Sequence, residues 1–179
     1  MPAANTRYNS EVTDPFPAKA EAASIRILAL DYGRSRIGIA LADSAVGLAQ
    51  PFCTLQRINR NEDMRRLREM ARERGVKQIV VGLPLRLDGT RGEMAEEAEG
   101  FAQRLRKQIG VPVEMVDERL TSWEAERLLE EVQGRVMKDP ATHGKPSKKD
   151  LGRVSVDAVA AAVILKEYLG RRQAASIEP

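Results

Sequence analysis

The sequence predicts a single α/β domain built on a five-stranded mixed sheet, in the order 3-2-1-4-5, flanked by helices. Three observations predict it: five short apolar runs of strand length, charged amphipathic stretches of helix length between the later runs, and an alanine-rich helical stretch near the C-terminus. At 179 residues, with 42% hydrophobic and 31% charged side chains, the chain has material for one core.

Residues 1–24 are polar, rich in Pro and Ala, and aperiodic, which predicts a disordered tail ahead of a domain spanning 25–170, with a short C-terminal tail at 171–179. The run Ile25 to Leu30 stops at Asp31-Tyr32-Gly33 and reads as a buried strand. Arg36–Asp43 is a second strand and Val46–Leu55 a third, joined by connections short enough for antiparallel hairpins. Met64, Leu67, Met70 and Ala71 form a helical stripe closed by Gly75. Gln78–Leu83 is a fourth strand, broken by Pro84. Met94, Ala98, Phe101, Leu105 and Ile109 mark a helix with acids at its start and bases at its end, stopped by Gly110. Val111–Val116 is the fifth strand, and Thr121-Ser122-Trp123-Glu124 fits a capping box for another helix. The last helix, Val154–Leu169, carries Ala158, Ala160, Ala161 and Ala162, small enough to lie close on a sheet. Connections through helices make the first, fourth and fifth strands parallel, so their C-terminal ends share one edge.

Composition excludes several chemistries. Cys53 and His143 are the only cysteine and histidine, so no intrachain disulfide, Cys/His zinc site or Ser-His dyad with a well-seated base is expected. Cys53 reads as a small core residue. A metal here must be held by oxygen, which points to Mg²⁺ or Mn²⁺. The first 24 residues lack an apolar core and no run is long enough to span a bilayer, so a soluble cytoplasmic protein is expected. Residues 133–153 hold six cationic side chains, Lys148 and Lys149 among them, against Asp139 and Asp150. That segment suits a phosphate-bearing partner, and equally a solvated loop.

Acids stand where the predicted strands end. Asp31 closes the first and Asp117-Glu118 the fifth, while Asp157 sits in the first turn of the alanine-rich helix. An acid ending an apolar strand is costly to desolvate unless it is paired or binds a cation. Three carboxylates suit a pair of hard divalent ions that leave positions open for phosphate and water. Asp157 alone would also be explained by the helix dipole. With one strand between them, Asp31 and the acid at 117/118 start about 10 Å apart. The longer side chain favours Glu118 over Asp117, and strand alternation lets only one of them serve.

The segments ILALDYGRSRIGIALAD, VVGLPLRLDGT, VDERLTSWEAE and VSVDAVAAAVIL strongly resemble the YqgF/RuvX family of ribonuclease H-fold proteins. The likeness runs from Ile25 to Leu169 with the motifs in order. It implies a ribonuclease H-like nuclease acting on pre-16S ribosomal RNA or, in an older description, on Holliday junctions. It implies a two-metal site of Asp31, Glu118 and Asp157, with cleavage leaving 3′-hydroxyl and 5′-phosphate ends. Arg86 departs from the family, in which a smaller polar residue, usually Asn, is typical.

Around the acids, Arg34, Arg36, Arg86, Arg119, Lys148 and Lys149 are candidate contacts to nucleic acid. Each also has a structural reading, as an exposed turn residue or an ion-pair member. Gly33 and Gly38 either admit a phosphate to the backbone or serve turn geometry. With aromatics at 4%, recognition should rest on phosphate contacts and shape. Two other classes compete. An actin- or sugar-kinase-like phosphotransferase needs a second domain and a second phosphate loop that this sequence lacks. A non-catalytic RNA-binding assembly factor would keep the same fold. Structured RNA or branched DNA is the expected partner, and a monomer and a homodimer both remain open.

Overall fold

The computed structural model describes residues 24–117 and 155–175. Its strands are β1 (Arg26–Tyr32), β2 (Arg36–Asp43), β3 (Leu48–Gln56), β4 (Val76–Leu83) and β5 (Val113–Asp117). Its helices are α1 (Arg60–Glu73), α2 (Glu93–Ile109) and α3 (Val156–Ala175). The expected tail as far as residue 23, the expected helix from Thr121 and the basic segment 133–153 lie outside the described residues. The sheet order is β3-β2-β1-β4-β5, as expected. β2 is antiparallel to both β1 and β3, while β4 runs parallel to β1 and β5 to β4.

Strand alternation divides the core into two layers. Leu28, Leu30 and Tyr32 of β1 face α1 and α2, packing with Ile37, Ile39, Leu67, Ile79, Phe101 and Leu105. Ile27 and Ala29 face the other way, toward Ala161, Ala162, Leu165 and Tyr168 of α3. α3 rests on β2 with β1 and β3 beside it. Alanines on both sides, Ala40 and Ala42 below and Ala158, Ala161 and Ala162 above, let this helix approach the sheet closely. At its C-terminal half the Tyr168 hydroxyl donates to the Glu114 carboxylate at 3.0 Å, which also accepts from Gln78 Nε2 at 3.3 Å. These bonds fix the helix's rotation over the sheet.

Several boundaries shift by a residue or two from the periodicity, β4 beginning at Val76 and β5 spanning Val113–Asp117, and two shifts are larger in consequence. β3 begins at Leu48 and not Val46, because Asp43 draws residues 44–47 into a turn. Its side chain accepts from the Ala45 N–H at 2.9 Å, and its carbonyl accepts from Val46 and Gly47 at 3.2 and 2.9 Å. α3 continues through Gly170 to Ala175, so the tail expected from 171 is helical as far as Ala175. The i,i+4 pair Glu167–Arg171 at 2.9 Å and Arg172 over the Tyr168 ring support that last stretch. Cys53 is half-buried against the core. Among the described residues, no helix is long and apolar enough to cross a membrane.

Two glycine-to-alanine changes should move stability in opposite directions. A Cβ on Gly38 would lie 1.9 Å from the Asp157 carbonyl oxygen, whereas one on Gly170 would meet nothing within 4 Å. Gly38→Ala is expected to cost about 1–3 kcal/mol through overpacking. Gly170→Ala should gain up to about 1 kcal/mol of helix propensity. Urea denaturation of both variants checks the pair.

Candidate active site

β1 carries Asp31 on the face that α3 covers, in phase with Ile27 and Ala29. Opposite Asp31 on β2 is Gly38, and opposite Gly38 on β3 is Thr54. The first turn of α3 lies across this row. Ser155 caps the helix, its hydroxyl accepting from the Ala158 N–H at 3.1 Å, and meets the Thr54 hydroxyl in a hydrogen bond. Asp157 follows with its backbone carbonyl directly over Gly38, in space that any side chain there would fill. Two acids distant in sequence are thereby brought beside each other.

Their proximity has an electrostatic consequence. Burial, and then the neighbouring Asp157 charge, push the Asp31 carboxyl up from 3.8 to about 6. Asp157 meets Arg36, whose Nε lies 3.1 Å from Oδ2. Oxygen donors that repel one another in a partly desolvated position fit a hard divalent cation, as the sequence suggests. Among the described residues no group of three His, Cys, Asp or Glu side chains gathers around one point. Asp31 and Asp157 make a pair, and Glu118, expected as the third acid, lies outside the described residues. Asp117 is described, and it shares the α1/α2 face with Val113 and Met115, whereas Val116 packs toward α3. It therefore points away from the layer that holds Asp31 and Asp157.

The candidate nucleic-acid contacts separate by place. Arg36 stands over half exposed at the rim of the acid pair. Arg34 turns to the other layer, where it pairs with Glu93 at 2.9 Å and Glu97 at 2.7 Å in the first turns of α2. This hydrogen bond lowers the Glu97 pKa. Arg86 ends up beside the start of α2, its Nε 3.3 Å from where a Cβ on Gly92 would be. It lies in a loop closed by the bond from the Arg86 N–H to the Thr90 carbonyl at 2.9 Å. Arg119, Lys148 and Lys149 lie outside the described residues.

Gly38 answers to neither sequence reading, since its open face is taken by α3 and is closed to a phosphate. Gly33 does serve the turn, its N–H donating to the Arg36 carbonyl at 2.9 Å. A positioning element was not anticipated. Arg57 donates to the Tyr32 hydroxyl at 2.9 Å, the Gly33 carbonyl at 3.1 Å and the Arg34 carbonyl at 3.3 Å. Asp63, 1% exposed, holds Arg57 from behind at 3.1 Å and also accepts from the Ile58 N–H at 3.0 Å. The turn that joins Asp31 to Arg36 is thus gripped from the layer opposite the acids. A signal existed: Asp63 falls on the buried stripe with Met64, Leu67, Met70 and Ala71, where an acid needs a partner.

The family model for RuvX, described as a Holliday junction resolvase, matches residues 25–171. The chain belongs to the RuvX family. A RuvX relative from Anaeromyxobacter sp. (strain K), named pre-16S rRNA nuclease, is 44% identical over 148 residues, covering 83% of this chain and 98% of its own. One from Thermosynechococcus vestitus with the same name is 40% identical over 148 residues, covering 83% and 89%. Among solved structures, Thermus thermophilus RuvC aligns at a TM-score of 0.50 and 12% identity, over 84% of this chain and 97% of its own. That likeness shows the shared ribonuclease H-like fold.

In this RuvX chain the acid pair should cost stability. Folded Asp31 keeps its proton to about pH 6, while an unfolded carboxyl releases it near 3.8. Between those values the folded state binds more protons, so stability falls as pH rises through the window and stays lowered above it. In EDTA, Asp31→Asn should be more stable than wild type at pH 8, by on the order of 2–3 kcal/mol. Most of that gap should close by pH 4. Urea titrations at the two pH values measure it.

Proposed function

We propose that this RuvX protein is a nuclease that hydrolyses phosphodiester bonds in structured RNA, and that its substrate is precursor 16S rRNA. The observation that carries the reading is the convergence of Asp31 and Asp157 at one end of the sheet, where burial and mutual repulsion work against charge on Asp31. Membership of RuvX and the nuclease names of its relatives support the same chemistry.

Asp31 and Asp157 are the groups that would hold Mg²⁺ or Mn²⁺, with Glu118 as the third ligand. Glu118 is preferred because Asp117 shares the opposite face with Val113 and Met115. Divalent cations bound there would neutralise phosphate charge and raise the acidity of water. The chain's own part is placement. Gly38 and the Ser155–Thr54 contact seat Asp157, and the Arg57–Asp63 pair steadies the turn after Asp31. Arg36 at the rim can meet a phosphate. Lys148 and Lys149, within the basic stretch 133–153, are proposed as further anchors to the nucleic-acid backbone.

Branched DNA is the second reading, favoured by the description of the matching family as a Holliday junction resolvase. A precursor-rRNA fragment and a four-way DNA junction, each with Mg²⁺ or Mn²⁺, separate the two. Wild type should cut the RNA fragment, and Asp31→Asn should lose more than the roughly 10–100-fold that loss of an outer partner of a metal ligand costs. Cutting of the junction alone would move the substrate to branched DNA. Equal rates in mutant and wild type would remove Asp31 from the site, and binding of RNA without cutting would leave an assembly factor.

A further inference from the structure

We infer that Arg36 is a displaceable latch on the acid pair: its guanidinium holds Asp157 until a divalent cation takes that carboxylate. The inference rests on the metal-site reading above and extends it to a residue outside the ligand set. Arg36 lies two positions before Gly38 on β2, so both are on the face under α3. Gly38 fixes the backbone of Asp157, which leaves the Asp157 carboxylate at the rim, within reach of Arg36 Nε at 3.1 Å.

The three arginines around the turn differ in how firmly they are held. Arg57 is 15% exposed and combines its bond to Asp63 with three further acceptors in the turn. Arg34 pairs with two carboxylates and gives Glu97 two hydrogen bonds. Arg36 is 56% exposed and joins Asp157, 27% exposed, through the contact at Nε. An exposed ion pair of this kind is weak and readily exchanged. Its backbone is anchored, the carbonyl accepting from the Gly33 N–H, while more than half of the side chain is open to solvent.

A single positive charge on Asp157 partly offsets the repulsion within the acid pair, and a divalent cation would offset it more strongly. The two compete for the same carboxylate. Cation entry therefore costs the Arg36–Asp157 contact and frees the guanidinium at the rim, where its planar fork suits a phosphodiester oxygen pair.

Isothermal titration of Mn²⁺ into the full chain, without nucleic acid, tests the latch. Arg36→Gln should bind Mn²⁺ roughly 5-fold tighter than wild type, the affinity equivalent of an exposed ion pair at the strong end of its range. Arg36→Lys, which keeps the charge, should stay nearer wild type. Arg171→Gln removes the same charge from an equivalent pair at the far end of α3, roughly 20 Å away along the helix, and should leave affinity unchanged. Thermal melts confirm that the variants are folded. Equal or weaker binding by Arg36→Gln overturns the latch, as does equal tightening by Arg171→Gln. If wild type binds Mn²⁺ and Asp31→Asn does not, the metal site stands whatever Arg36 does. If neither wild type nor Arg36→Gln binds, site and latch fall together.

Discussion

The rest of the site depends on one contact: the first turn of α3 set down on β2 where Gly38 has no side chain. Backbone against backbone at that point brings Asp157 to the level of Asp31, which lies opposite Gly38 on the neighbouring strand. The remaining helix contacts serve the same alignment. Alanines keep α3 close along β1 and β2, the Ser155 cap ties its start to β3, and Tyr168 ties its later turns to β5 through Glu114. A helix fixed at both ends cannot roll, so the direction of Asp157 follows from the fold.

Placing two carboxylates together works against folding, and Arg36 meets one of them at the rim. Cations are deployed on the turn: Arg57 with Asp63 on one side, Arg34 with Glu93 and Glu97 beyond it, and Arg36 with Asp157 at the rim. The better buried pair does the holding, in keeping with the greater strength of hydrogen bonds made away from water. The more exposed pairs remain adjustable. A polarity follows across the sheet. The layer under α1 and α2 fixes the loop geometry, while the layer under α3 presents the acids.

Much of this was legible from residue pattern. β2 matches its expected span, Arg36–Asp43, because both of its ends are marked, by a Gly-Arg-Ser turn before it and Asp-Ser after it. The strand directions follow from hairpin-length links early and helix-length links later. What stayed hidden depends on pairs distant in sequence. Gly38 looks like any turn glycine until α3 is placed over it, and no local pattern announces an approach by residue 157. Arg57 belongs to no helical or strand stripe, so only its buried partner Asp63 betrays it. The face of Asp117 could be narrowed by alternation alone, yet its direction needed the phase of Val113 and Met115 against α2 and the adjoining core.

A crystal of the full chain soaked in Mn²⁺, with anomalous scattering recorded at the manganese edge, tests the central claim most directly. A manganese peak is expected beside Asp31 and Asp157, within the roughly 2.0–2.6 Å of hard-cation–oxygen bonds from an oxygen of each. No peak between them, or manganese bound only at some other surface carboxylate, would contradict it.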